Sequence, residues 1–530
     1  MINFKKLTTT GFDADALSTT VAGEKVFNFG ALTTSGDLAN GVFGGADNLT
    51  IYNFARITTR GAGAAGIFVL GNDARIDNFG SVVTHGGLFD PDPGVNGDEF
   101  VSDAITVFGD RFNIANHGTV HVEGDFASGM SGIGANGTIV NYGRVESSAF
   151  ASVVMAAFGD GSHVINTGEV TGSADEIAAV LVFGEGATAL NFGKVVASGV
   201  GSAGVGAAGA DAQITNRGLV QLTGDEGAGM AAFGSGHQVN NFGHIAAQGD
   251  LTFGIASAGL DLQLVNTGMI STDGDVAVGI ALGVNRFGFR PTQDGSIENK
   301  GVVHTHGDGS AGVILGGNGS HLVNSGDIAA NGGGFASPVL GNVSAAGVLV
   351  SGDDAVVVNT LQGTIKSGNA GSAAVELNVV VRSGLSNADT SSRLDNAGLI
   401  KGAGIAVLGG DGQETVVNHG RIVGDVVLGD GADTFVFGMH GTLAGKLFLG
   451  GGDDLVRVEQ DAGSMRIADF AAGSASGDVI DVSAYFSSFG QVTAHSHQAG
   501  SDVVIDLGHD RLVLEHVQLA TLDDADFLLV

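Results

Sequence analysis

Residues 166–190 read NTGEVTGSADEIAAVLVFGEGATAL, and residues 191–215 continue NFGKVVASGVGSAGVGAAGADAQIT. The two stretches align position for position. Each opens Asn-x-Gly, each has Val four residues on (Val170, Val195), and each has Gly eighteen residues after the Asn (Gly184, Gly209). Moving outward, the same setting recurs at Asn28, Asn78, Asn116, Asn141, Asn216, Asn241, Asn266, Asn299, Asn324, Asn396 and Asn418, with Asn53 and Asn359 in the column but lacking the glycine. From Asn116 to Asn266 the period is 25 residues without a break. A fixed period that joins short β-branched stretches through glycine corners describes coils that bury their apolar faces only by stacking. The expected fold is therefore all-β, a right-handed parallel β-helix (β-solenoid), with handedness taken from the rule for parallel crossovers.

Composition agrees. Of 530 residues 92 are glycine and only four proline; 43% are hydrophobic and 15% charged, which is too apolar for a disordered chain. The formal charge of -34 excludes nucleic acid and anionic membranes as partners and favours cations. There is no cysteine, so neither a disulfide framework nor a Cys-ligated metal is expected. No apolar run is long enough for a transmembrane segment, and the opening MINFKKLTTTGFDADAL lacks the form of a cleaved N-terminal export signal.

The Asn column is read as a structural ladder of side-chain amides, and Phe158, Phe183 and Phe233, which share a register position, as an internal stack. Longer intervals mark insertions near 87–100, 284–295 and 379–392. Insertions in solenoids are where binding sites usually lie. The domain reading is an N-terminal cap (1–25), the solenoid (26–404), a calcium-binding, β-roll-like region (405–460) and a C-terminal region (461–530).

That third region departs from the 25-residue rhythm. Gly429-Asp430-Gly431-Ala432-Asp433 and Gly450-Gly451-Gly452-Asp453-Asp454 superimpose as Gly-x-Gly-x-Asp followed by an apolar strand, and Gly410-Asp411-Gly412-Gln413-Glu414 is a copy with Glu in the Asp place. Ca2+ is a hard ion that takes six to eight oxygens, many from backbone carbonyls, which glycine can turn inward while carboxylates supply charge. These loops resemble the nonapeptide of the RTX (hemolysin-type) family. The resemblance implies Ca2+ ligation by Asp433 and Asp454, by Asp430 or Asp453, and by glycine carbonyls. Their spacing of 19 and 21 residues predicts one loop per coil, stacked on one edge.

The stretch from Met465 to Val530 is similar to the C-terminal targeting region of proteins exported by type I secretion: "ADF" and "GDVIDVSA", a hairpin in "SDVVIDLGHDRLVLEHV", and the ending "DDADFLLV". This resemblance covers residues 405–530 and implies an uncleaved C-terminal signal read by an ABC transporter complex, with calcium closing the loops outside the cell.

The function expected is a secreted, extracellular or surface-attached calcium-binding β-solenoid with a structural, adhesive or surface-layer role. Expected partners are calcium, the transporter, surface or matrix polysaccharide and a second copy of the chain. The alternative is a polysaccharide-active β-helix lyase, hydrolase or epimerase, with carboxylates drawn from Asp90, Asp92, Asp98, Glu99, Asp103 and Asp110 beside Arg111. Against it stand the absence of Trp, only three Tyr, and Asp-Pro-Asp-Pro where alginate epimerases carry Asp-Pro-His. No His-Glu-x-x-His occurs, so a serralysin-type protease is not expected, and His304 and His306 read as surface residues. No catalytic residue is assigned.

Overall fold

The computed structural model describes all residues except 92–99, 286–287, 290–292, 338–340, 380–389, 474–476 and 530. The chain forms two compact units, Met1–Ser257 and Ala258–Val530.

In the first unit each coil contributes three short strands, such as Arg144–Ser147, Val153–Phe158 and His163–Asn166. Each pairs in parallel with its counterpart 25 residues on, so that Val145 meets Val170, Met155 meets Val180 and Val164 meets Ala189. Side chains alternate across the sheet. Val145, Val170, Val195 and Val220 consequently form one fully buried row, and like residues pack on like residues.

The corners explain the glycines. A Cβ on Gly168 would lie 2.0 Å from Gly143 O of the preceding coil, so this corner admits no side chain without the backbone shifting. Residues 1–25, expected as a cap, form a coil paired in parallel with the next, with Ile2 opposite Phe27, Leu7 opposite Leu32 and Leu17 opposite Val42.

The second unit keeps this plan: Leu264 pairs with Ile297, Ile270 with Val303 and Ile280 with Val313. Its longer intervals hold short antiparallel hairpins, Val284–Asn285 with Gly288–Phe289 and Phe335–Ser337 with Gly341–Val343. The insertions expected near 87–100 and 379–392 lie mainly outside the described residues; the first is closed at its base by a bridge between Phe89 and Phe100.

Beyond Leu399 the coils shorten, and Thr415, Thr434, Leu455 and Val479 stack in register. The coil pattern ends in a helix, Phe489–Ala494, and an antiparallel hairpin, Asp502–Leu507 with Asp510–Leu514. Phe527–Leu528 adds a final parallel strand beside Val479–Asp481.

Candidate functional site

The Asn column is a buried amide ladder. In the first unit Asn141 Nδ2 donates to Asn166 Oδ1 (3.0 Å) and Asn166 Nδ2 to Asn191 Oδ1 (2.9 Å). In the second, Asn299, Asn324, Asn359, Asn396 and Asn418 are linked in the same way at 2.8–2.9 Å. These side chains are buried and satisfied, so they make structure, not a ligand row.

The phenylalanines read as core are not core. Phe183 is 54% exposed, Phe233 is 40% exposed and Phe158 is half-buried, because each takes an outward-facing position on its strand. A second ring column was missed altogether. In the first coils the residue after the Asn stacks along the surface, from Phe4 through Phe29, Phe54, Phe79 and His117 to Tyr142, with centroids 4.6–5.1 Å apart. The sequence signal was there, in the x of Asn-x-Gly.

Below the amide ladder the glycine loops build a column of carboxylates. Strand register puts Glu414, Asp433 and Asp454 at the same place in successive coils, just before Thr415, Thr434 and Leu455, and Asp478 follows before Val479. Asp433 Oδ1 accepts from Glu414 N (2.8 Å), Asp454 Oδ1 from Asp433 N (2.9 Å) and Asp478 Oδ1 from Asp454 N (3.3 Å). Glu414 Oε1 accepts from Asn378 Nδ2 (2.7 Å) and Gly410 N (3.1 Å). The other oxygens, Glu414 Oε2, Asp433 Oδ2 and Asp454 Oδ2, are buried and have no hydrogen-bond partner.

Three carboxylates that are 1–2% exposed, one coil apart, form an unfavourable arrangement of like charge. Burial, reinforced by Glu414 and Asp454, pushes Asp433 up to about 8. Burial, with the charges of Asp478, Asp469 and Asp453, pushes Asp454 up to about 6, and burial raises Asp478 as well. Unpaired buried oxygens and glycine loops fit a hard cation lying between coils. Among the described residues no three His, Asp or Glu side chains converge closely enough to hold a metal by themselves, so such an ion would draw further oxygens from backbone carbonyls or water.

The remaining residues expected as ligands divide. Gly429 pairs with Gly450, and a Cβ on Gly450 would fall 1.8 Å from Gly429 O, so the loops stack only as glycine. Gly410, Gly412, Gly431 and Gly452 occupy the same edge: Gly410 O accepts from Asp430 N (2.9 Å), and a Cβ on Gly431 or on Gly452 would strike Gly412 O or Gly431 O. Asp411, Asp430 and Asp453 are exposed and stand outside the buried column. Asp478, which the Gly-x-Gly-x-Asp pattern does not mark, extends that column.

The carboxylates considered for sugar chemistry are otherwise engaged or fall outside the described residues, as Asp92, Asp98 and Glu99 do. Asp103 is buried, accepts from Ser128 N (2.7 Å) and Ser131 Oγ (2.6 Å), and is raised by burial. Asp110 accepts from Ala135 N (2.9 Å), while Arg111 pairs with Asp73 (2.7 Å). His304 meets Asp327 (2.9 Å) and His306 meets Asp273 (3.0 Å), each an ordinary surface pair.

Fold and site together define a parallel β-solenoid protein with a column of buried acids. Residues 148–334 match the model of the BigA fourth domain family, about a third of the chain and all of it within the repeats. A chain in the cryo-EM structure of the Vag8–C1 inhibitor complex is similar over 88% of this chain and 100% of its own, at 13% identity and a TM-score of 0.49. No curated protein matches. No helix among the described residues is long and apolar enough to cross a membrane.

Proposed function

We propose that this chain is a secreted calcium-binding β-solenoid with a structural, adhesive or surface-layer role, exported through its C-terminal region by a type I system. The observation that supports the calcium reading is the row of buried, unpartnered oxygens on Glu414, Asp433 and Asp454, one coil apart beside glycine loops. A cation between coils would neutralise acids that otherwise keep protons at the expense of their charge. Low calcium would leave the loops repelling one another, and millimolar calcium outside a cell would close them, for which a Kd of about 10⁻⁴–10⁻³ M is enough.

The test is a calcium titration of the whole chain, followed by far-UV circular dichroism and calorimetry, beside Asp433→Ala combined with Asp454→Ala. Calcium is expected to raise the melting temperature of the wild type by more than that of the double variant. Equal melting in calcium and chelator for the wild type would reduce the loops to glycine turns.

A further inference from the structure

The coil before the first glycine loop breaks the ladder in one place. The strand Val375–Glu376 runs parallel to the following coil, with Glu376 opposite Leu408, and Leu377 N still bonds Leu408 O (2.8 Å). Asn378 then takes a φ of +51°, and Val379 N turns back to Val350 O (2.8 Å). The divergence opens a cavity of about 190 Å³ whose polar lining comes from Glu376, Asn378, Gly409, Gly410 and Asp411.

What these groups have left to offer is one-sided. Gly409 N is spent on Val427 O (2.7 Å), while Gly410 N and Asn378 Nδ2 are both given to Glu414 Oε1 (3.1 and 2.7 Å). Glu376 is 7% exposed; its carboxylate accepts a long hydrogen bond from Ala373 N (3.4 Å) and interacts with the Ser344 side chain. Among the described residues no Lys, Arg or His lines the cavity. A buried carboxylate, a second carboxylate at the rim and backbone carbonyls, with Gly409 N, Gly410 N and Asn378 Nδ2 engaged elsewhere, favour a cation over an anion. The space equals about six waters at roughly 30 Å³ each, which suits an ion that keeps part of its hydration. Oxygen-only donors select a hard divalent ion.

We propose that the cavity between Glu376 and Asp411 is a separate divalent-cation site, taking calcium through these two carboxylates, backbone carbonyls and water. Asp411, which the loop pattern assigns to the same ligand set as Glu414, then serves a different ion from the one beside Asp433 and Asp454. The cavity shares Gly410 and Asn378 with Glu414 but takes neither Asp433 nor Asp454, so variants at Glu376 or Asp411 and variants at Asp433 or Asp454 separate the two sites.

Calcium stoichiometry and affinity, measured by calorimetric titration on the full chain, test it. Glu376→Gln and Asp411→Asn are each expected to lose one equivalent of calcium, or to weaken it about tenfold or more, with melting in chelator unchanged; Asp433→Asn should retain that equivalent. Unchanged stoichiometry and affinity in both cavity variants would overturn the proposal, and Asp411→Asn, at an exposed position, keeps it testable if Glu376→Gln disturbs folding. A titration with methylammonium supplies the other arm: heat that Glu376→Gln abolishes for methylammonium but not for calcium would give the cavity to an amine and overturn the calcium site.

Discussion

Asn166 shows how much one residue carries in a repeat. Its Nδ2 reaches Asn191 Oδ1 at 2.9 Å and Lys194 O at 3.2 Å, and its Oδ1 accepts from Asn141. Asn166→Ala would strip both neighbours of a partner in a fully buried column, at a cost of about 1–3 kcal/mol for each group left unpaired. A urea melt of the variant should show a lower midpoint, by more than an exposed control such as Thr167→Ala. This column was readable in the sequence because the chemistry demands one residue type at one spacing. Asn3, which continues it through a 2.8 Å bond to Asn28, escaped because Lys5 stands where the glycine would be. The phenylalanines at 158, 183 and 233 were misplaced for a different reason. In Val153–Phe158 four consecutive residues are buried, so both faces of the strand are apolar and spacing alone does not distinguish inside from outside.

At the scale of the strand, register is what the glycine corners protect. Gly168→Ala would push a methyl to 2.0 Å from Gly143 O, and since that oxygen is backbone it can move only by lifting one coil off the next. The expected cost is about 1–3 kcal/mol, as for overpacking in a core; Gly186→Ala, where a Cβ meets nothing within 4 Å but φ is +63°, separates backbone strain from the steric clash. Thermal melts of the two should place Gly168→Ala lower. Strand pairing followed directly from the 25-residue period, and the C-terminal hairpin from two alternating runs joined at Gly508, whose φ is +82°. The helix Phe489–Ala494 and the small hairpins at 284–289 and 335–343 had no such periodic signal. The acid column was half legible: Asp433 and Asp454 sit in a recognisable loop, whereas Asp478 joins them only through strand pairing that a sequence does not display.

The whole chain carries a charge of -34, and its response to pH and calcium follows from where that charge is buried. Asp433 is raised from 3.8 to about 8 and Asp454 to about 6, chiefly by burial, so the folded protein holds protons that an unfolded chain has released. A raised carboxyl contributes stability that is full below its unfolded value near 4 and is lost as pH climbs through its folded value. In chelator, therefore, the second unit should become less stable from about pH 4 to about pH 8, and more steeply below pH 6, while Asp454 is still titrating, than above it. On the proposed calcium reading the sign reverses with the ion present, because it would take the carboxylates deprotonated and bind better as pH rises. Scanning calorimetry of the full chain between pH 4 and 9, with calcium and with chelator, reads both slopes, and the transition of the second unit is the one to follow, since two compact units need not melt together. Crossing slopes would tie the column to the ion. Parallel slopes that both fall with pH would mean that protons alone fill it, and the calcium reading would then have no chemical basis at Asp433 and Asp454.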